Sequence, residues 1–247
     1  MMTKTQQAKA LILKFPGTNC DVESVEALEI VGFEVQLVPI ALAKPEQLQG
    51  VDLVMLAGGF SYGDYVMAGR LAQLEISNRL GQALHEHHAQ GGYLLGVCNG
   101  FQILMQLGLL PAGSLTENTS ERFICKWSHL HVSAKNSPYT QGLGDTVEFP
   151  VAHAEGRFVA MDAALAEQYD EQGLVVFKYA ENFNGSHAAI AGLQDETGRV
   201  MGLMPHPERF IKTKQHYDPD WADEHSEAAH GYTFFESIYN AITATKA

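Results

Sequence analysis

Cys98, His206 and Glu208 have the residue types and local settings that nucleophilic chemistry needs. Gly96-Val97-Cys98-Asn99-Gly100 follows the apolar run Tyr93-Leu94-Leu95 and leads directly into Phe101-Gln102-Ile103-Leu104-Met105-Gln106-Leu107. The pattern predicts a short buried strand turning sharply into a helix, a nucleophile elbow with sulfur in place of the serine oxygen. Glycines two places before and after the cysteine let the crossing segments approach without a clash of Cβ atoms. The turn also sets Cys98 at a helix N-terminus, where the partial positive charge favours thiolate over thiol. On the pentapeptide alone, an inert core cysteine stays open, because short motifs recur by chance.

A cysteine nucleophile needs a base, and the base needs a group to orient it. Met204-Pro205-His206-Pro207-Glu208-Arg209 follows the apolar strand Val200 to Met204. In extended chain, residues two apart point the same way, so His206 and Glu208 share a side. Pro205 and Pro207 fix φ around the histidine and stiffen the segment. A proline-rich turn with a surface histidine is the competing reading. Acyl transfer also needs oxyanion donors. The N–H of Asn99 at the helix start is one, and Gly58-Gly59-Phe60 supplies side-chain-free backbone for a second at Gly59. Gln102, one helical turn beyond Cys98 on the same face, can hydrogen-bond a small amide, although an ordinary helix-surface glutamine has the same spacing.

The remaining cysteines and histidines read as structural or solvated. Cys20 also opens a helix, but Asp21 and Glu23 disfavour a thiolate there and no glycine elbow surrounds it. Cys125 lies in a strand and reads as core. His85-Glu86-His87-His88 follows a long helix, and His216, His225 and His230 fall in a polar loop. Both groups read as solvated surface, and no metal site is expected. With no Gly-x-x-x-x-Gly-Lys-Ser/Thr loop, nucleotide binding by this chain is not supported.

The elements that must hold these residues alternate in the N-terminal half. Strands are expected at 8–15, 33–38 and 52–57, and the Cys98 strand follows. A helix through Val25, Leu28 and Ile30 and a long one through Ala68, Leu71, Leu74, Ile76, Leu80 and Leu84 lie between them. This order indicates a parallel sheet with helices on both faces and a site beyond the C-terminal strand ends. Phe15-Pro16-Gly17, Ala57-Gly58-Gly59 and Gly96-Val97-Cys98 then meet at one edge. Further strands are expected at 122–126, 146–151, 174–179, 188–193 and 199–204, with a closing helix around Phe234 to Ile242. No linker, repeat or low-complexity segment divides the 247 residues, so a single domain, 1–247, is expected. A net charge of −13 without a basic run argues against a nucleic-acid partner. The N-terminus lacks an apolar signal core and no apolar run reaches membrane-spanning length. Three widely spaced cysteines form no disulfide framework, so a cytoplasmic location is expected.

Gly-Val-Cys-Asn-Gly-Phe-Gln (96–102) with the distal Pro-His-Pro-Glu (205–208) resembles the class I glutamine amidotransferases. Phe-Pro-Gly-Thr-Asn-Cys-Asp (15–21), Gly-Gly-Phe-Ser-Tyr-Gly-Asp-Tyr (58–65), His-Ala-Glu-Gly-Arg-Phe (153–158), Asn-Gly-Ser (184–186) and His-Pro-Glu-Arg-Phe (206–210) narrow the resemblance. They are similar to the glutaminase subunits of phosphoribosylformylglycinamidine synthases of purine biosynthesis, and the likeness spans essentially the whole chain. It implies a flavodoxin-like α/β fold, an open and mainly parallel sheet with helices on both faces. It implies a triad of Cys98, His206 and Glu208, an oxyanion site at Gly59 and Asn99, and glutamine binding by Gln102, His153, Glu155 and Gly156. It further implies that ammonia passes to a synthetase subunit using ATP and Mg, with a small accessory subunit, and that this chain binds no cofactor itself. An amidotransferase subunit of another pathway, such as anthranilate or guanylate synthesis, is the nearest alternative. A non-catalytic module of the same fold, or a cysteine hydrolase or chaperone with a similar elbow, stands further off. The chain departs from the family pattern at Phe183, where proline is frequent, and in Lys212 to His230, which reads as a polar insertion of unassigned role.

Overall fold

The structure is a computed structural model that describes residues 7–64, 69–221 and 228–246. In chain order the first elements are β1 (Lys9–Lys14), α1 (Asp21–Ile30), β2 (Glu34–Pro39) and β3 (Leu53–Leu56). Then come α2 (Arg70–Arg79), α3 (Gly81–Ala89), β4 (Tyr93–Val97), α4 (Asn99–Gln106) and β5 (Ser114–Thr116). The second half holds β6 (Ile124–Val132), β7 (Thr146–His153), β8 (Arg157–Val159), α5 (Ala163–Glu171) and β9 (Val175–Tyr179). Strands β10 (Ile190–Gln194) and β11 (Val200–Leu203) precede the closing helix α6 (His230–Ala244).

The main sheet has nine strands in the order β2-β1-β3-β4-β11-β10-β9-β6-β7. The first five pair in parallel, as in Leu13 beside Val38 and Leu56, and Gly202 beside Gly96. The last four pairings are antiparallel. Only β10 and β6 therefore run against the others, and β9 and β7 again end at the edge where β1, β3, β4 and β11 end. The continuous apolar runs of β3 and β4 are buried along their length, as expected for parallel strands covered on both faces. From β1 the chain moves outward to β2, and from β3 it moves the opposite way to β4. Right-handed crossovers in opposite directions place α1 and the α2–α3 pair on opposite faces. Accordingly α1 packs with α6, and α2 packs with α4. β5 and β8 form a separate two-stranded ribbon.

Several expectations change. The long helix is two helices, because Leu80 leaves helical dihedrals (φ −131°) to bury its side chain and glycine, a poor helix former, follows it. Ala68 lies outside the described residues. The strand expected at 122–126 is the start of the longer β6, whose Ser128, Leu130 and Val132 face inward while His129 and His131 face solvent. Cys125 falls on that outward phase and is exposed, not core. Helix α5 and the β5–β8 ribbon were not anticipated; each is short, and the ribbon's three-residue strands carry no readable period.

The histidines also depart from a solvated reading. On α3, successive side chains turn by about 100°, so His85 is exposed while His87 is buried against Gly92 and its pKa is lowered, chiefly by that burial. His88 meets Asp195 at 3.1 Å. His216 is buried with its Nε2 3.0 Å from Glu148 Oε2. It sits among Trp127, Phe210 and Trp221, and Nδ1 of the half-buried His230 accepts the N–H of Glu148. His225 lies outside the described residues.

Candidate active site

β4 ends at Val97, and Cys98 takes φ 51° and ψ −108° before α4 begins. A non-glycine residue there costs about 1–3 kcal/mol and persists only where its surroundings hold it. Here the Cys98 N–H donates to Leu203 of β11 at 2.7 Å, and the Cys98 carbonyl accepts from Phe101 and Gln102. The flanking glycines are required by contact. A Cβ on Gly96 would lie 2.5 Å from the Gly100 carbonyl oxygen, and one on Gly100 would lie 1.9 Å from that of Leu56. The strand, the turn and the helix pass too closely for any side chain.

His206 follows β11, the strand next to β4, which brings it to the same edge as Cys98. Its N–H donates to Pro150 of β7 at 2.8 Å, so β7, although last in the sheet order, reaches back over the parallel strand ends. His206 Nδ1 lies 2.7 Å from Glu208 Oε1, both side chains being buried. Burial opposes the charge on His206, but Glu208 and Cys98 outweigh it, helped by the contact with Cys20. The imidazole pKa is held well above its ordinary value. A carboxylate accepts at Nδ1, so Nε2 is the nitrogen left for proton transfer. Nε2 and Glu208 Oε2 are buried without a hydrogen-bond partner among the described residues.

At the end of β3, Thr18 and Gly59 form an isolated antiparallel bridge. Its hydrogen bonds use the N–H groups of Cys20 and Phe60, not that of Gly59. Gly59 has φ +144°, and a Cβ there would lie 2.7 Å from the Asn19 nitrogen. A cleft of about 120 Å³ opens above these strand ends, lined by Gly59, Phe60, Cys98, Gln102, Ala152, His153, Ala154 and Glu155. Larger depressions exist elsewhere, one of about 470 Å³ beside His230, but none of the elbow residues lines it.

The structure brings Cys98, Gly59, Gln102, His153 and Glu155 to this cleft and sets Gly156 directly against the His153 ring. Gln102 is engaged within the protein: its Nε2 donates to the Glu155 carbonyl at 2.6 Å, and its Oε1 accepts from Asn99 Nδ2 at 2.9 Å. It ties α4 to the 153–156 loop. His153 is buried, and its pKa falls to about 4, first through burial and then through the charge of His206. Its Nδ1 meets Asn118 Oδ1 at 3.1 Å, and its Nε2 is buried without a partner among the described residues. Phe183 stacks on His153, its ring 6.1 Å away, which gives this position a packing role that proline could not fill in the same way.

Other contributors escaped sequence reasoning. Asn118 bonds the carbonyls of His153 and Arg122 through Nδ2 and holds the cleft loop. Buried Asn184 donates to the Gly156 carbonyl and accepts from Ser186, so Asn-Gly-Ser (184–186) acts as a prop beneath the same loop. Cys20, read as a structural residue, lies 3.9 Å from His206 Nδ1. The convergence of the Phe15-Pro16-Gly17 strand end with the Cys98 edge was the signal that pointed there.

Residues 7–240 match the model of the CobB/CobQ-like glutamine amidotransferase domain. The phosphoribosylformylglycinamidine synthase subunit PurQ of Dehalococcoides mccartyi is 40% identical over 234 residues, covering 88% of this chain and 91% of its own. The subunit of the same name from a Ruegeria species is 41% identical over 238 residues, covering 95% and 99%. A chain of the solved PurLQS structure from Thermotoga maritima superposes with a TM-score of 0.80 at 36% identity, covering 96% of this chain and 99% of that one. A solved glutamine amidotransferase from Thermotoga maritima shares the fold at 15% identity and a TM-score of 0.61, covering 96% of this chain and 99% of that one. With a positive-φ cysteine at a strand-to-helix elbow and a histidine–carboxylate pair on the adjoining strand end, the chain belongs to the CobB/CobQ-like glutamine amidotransferases and, among them, to the PurQ family.

Proposed function

We propose that this chain, residues 1–247 acting as one amidotransferase domain, is the glutaminase subunit of a phosphoribosylformylglycinamidine synthase. The observation that carries the reading is the elbow at Cys98, which lines a cleft of small-amide size, together with a His206–Glu208 pair at 2.7 Å buried beneath it. In the proposed reaction Cys98 Sγ attacks the side-chain carboxamide carbon of glutamine. The N–H groups of Gly59 and Asn99 receive the developing oxyanion. The His206 imidazolium, stabilised by Glu208, gives its Nε2 proton to the departing nitrogen, and ammonia leaves as the thioester forms. His206 then takes a proton from water, hydroxide adds to the thioester carbon, and glutamate departs as the proton returns to sulfur.

Gln102, His153, Glu155 and Gly156 shape the glutamine site in this reading, mainly by holding the loop that roofs the cleft. Ammonia passes to a synthetase subunit that uses ATP and Mg to convert formylglycinamide ribonucleotide to formylglycinamidine ribonucleotide, with a small accessory subunit in the complex. The chain itself holds no cofactor, contacts neither nucleic acid nor membrane, and works in the cytoplasm. The chain is acidic, and no described helix is long and apolar enough to cross a membrane.

The test is Cys98→Ala in the assembled complex. Glutamine-dependent synthesis should disappear while synthesis from added ammonia continues. Loss of both activities, or retention of both, would count against the reading.

A further inference from the structure

Cys20 is a buried thiol in contact with the His206 ring that the proposed reaction does not use. It stands at the residue before α1 without capping it through its side chain, and its Sγ accepts a hydrogen bond from Arg209 Nη2 at 3.0 Å. The sulfur lies 3.9 Å from His206 Nδ1. A Cβ built on Gly58 would sit 3.3 Å from this sulfur and 3.4 Å from Cys98 Cβ, so the two cysteines flank one glycine. Ligand-type atoms of Cys20, His206 and Glu208 lie within 4.8 Å of one another, a spacing that suits a metal ion. The guanidinium on the sulfur argues against one, because it brings a fixed positive charge to the place a cation would take.

Next to the His206–Glu208 pair stands a second cation, Arg209, whose guanidinium bonds Cys20 and lies near Glu23 without an ion pair to Glu208. Glu208 is fully buried, with Oε1 on His206 and Oε2 without a partner among the described residues. Burial opposes the Arg209 charge, but Cys20, Glu208 and Glu23 outweigh it and raise its pKa. Glu23 draws the guanidinium outward from 3.8 Å. Arginine pairs with carboxylates in a fork of two hydrogen bonds, one of the strongest arrangements available to it. If Arg209 closed such a fork on Glu208, the carboxylate would be diverted from the imidazole. The Cys20 sulfur instead takes a hydrogen bond from one guanidinium nitrogen, Nη2.

We propose, on the basis of the triad reading above, that Cys20 is a positioning residue whose sulfur keeps Arg209 from capturing Glu208 and so reserves that carboxylate for His206. The groups facing His206 are then Cys98 from the start of α4, Cys20 from the start of α1, His153 from β7, and Glu208 from its own turn. Each has a separate task. Cys98 takes the substrate, Glu208 orients the ring, and Cys20 with Glu23 parks the competing cation.

The experiment compares glutamine hydrolysis over a pH range by the full chain assembled with its synthetase partner. The variants are Cys20→Ala, Cys20→Ser and the double variant Cys20→Ala/Arg209→Met. Cys20→Ala releases the guanidinium, and kcat should fall about tenfold to a hundredfold, the scale of a misplaced catalytic group. The alkaline limb of kcat/KM should move to lower pH, because the His206 imidazolium shares its counter-ion. Cys20→Ser keeps a small acceptor and should stay within about threefold of the parent. The double variant removes the competing cation and should recover most of the kcat lost in Cys20→Ala. A sulfur that merely fills space predicts the opposite, a double variant no better than the single one, and that result overturns the proposal. Parental kcat and pH profile in Cys20→Ala overturn it as well. Thermal melting of each variant separates these outcomes from unfolding. Failure of the triad reading is distinguishable, since glutamine hydrolysis persisting in Cys98→Ala would remove the triad whatever Cys20 does.

Discussion

A Cβ atom at position 58 would lie 2.9 Å from His206 Cε1 and 3.4 Å from Cys98 Cβ, nearer to the imidazole than carbon atoms approach without displacement. Gly58 is not held in the left-handed region, so alanine there is allowed by the backbone and its whole effect comes from one methyl group. Overpacking of this kind costs about 1–3 kcal/mol, and a displacement of the base by a fraction of an ångström to an ångström costs about a hundredfold in rate. Gly58→Ala should therefore fold, melt somewhat earlier, and lose about two orders of magnitude in kcat. Gly100→Ala is a different case, because its Cβ would sit 1.9 Å from the Leu56 carbonyl oxygen, a backbone atom with no rotamer to escape into. That variant should fail to accumulate as folded protein. Circular dichroism and glutaminase kinetics on both separate the predictions, and a Gly58→Ala enzyme with parental kcat would show that the ring has room after all. The elbow, His206 and Glu208 were legible in the sequence because their geometry demands particular residue types: glycines where backbones touch, prolines where φ is fixed. Cys20 was not, because what matters there is a contact with Arg209, 189 residues further along the chain.

Among the elements, the strands of the parallel half lay close to where apolar runs and glycine stops placed them. The segment after Arg209 did not follow its composition. Its charged and polar residues read as a solvated insertion, yet residues 210–221 fold over β7 and bury His216 against Glu148, with Phe210 and Trp221 stacked alongside. No periodicity announces this, because the anchors are irregularly spaced and the carboxylate they cover is 68 residues earlier. Lys212 also ion-pairs with Glu26 of α1, fastening the segment's start. Glu148 is nearly buried, so removing His216 leaves that carboxylate, among the described ion pairs, with the exposed His129 at 3.9 Å. Leaving a buried acceptor without its hydrogen-bond partner costs about 1–3 kcal/mol, whereas removing both partners costs much less. His216→Ala should thus lower stability by about 1–3 kcal/mol, with Glu148→Gln/His216→Ala recovering a substantial part. Urea denaturation of the two single variants and the double measures it. Simple additivity of the single effects would mean that the two side chains do not stabilise one another.

At the scale of the whole molecule, one sheet carries both halves, and the strand ends that form the cleft also bury two histidines with opposed titrations. His206 has its pKa raised, so its contribution to stability is complete below its unfolded value of about 6.5 and fades only as pH rises through the higher folded value. His153 has its pKa lowered to about 4, so the unfolded chain binds its proton first as pH falls. Between about pH 6.5 and 4 the unfolded state holds more protons at this site than the folded state does, and stability must rise with pH across that window. A displacement of that size corresponds to roughly 3 kcal/mol once the window is crossed. Below pH 4 the folded histidine is protonated too, and this loss stops growing. Exposed carboxylates add their own pH dependence to the same range, so the informative quantity is a difference between two chains rather than one curve. His153→Gln retains a side-chain amide that can hydrogen-bond Asn118 and removes the titration. Its unfolding free energy, measured by chemical denaturation at pH 4.5, 5.5 and 6.5, should decline less steeply than the parent's as pH falls. Because His153 lies on β7 and His206 after β11, acid should loosen the cleft roof and the base through one cooperative transition rather than two. Equal slopes in parent and variant would mean that His153 is not held neutral by its burial, and a biphasic transition would mean that the sheet does not unfold as one unit.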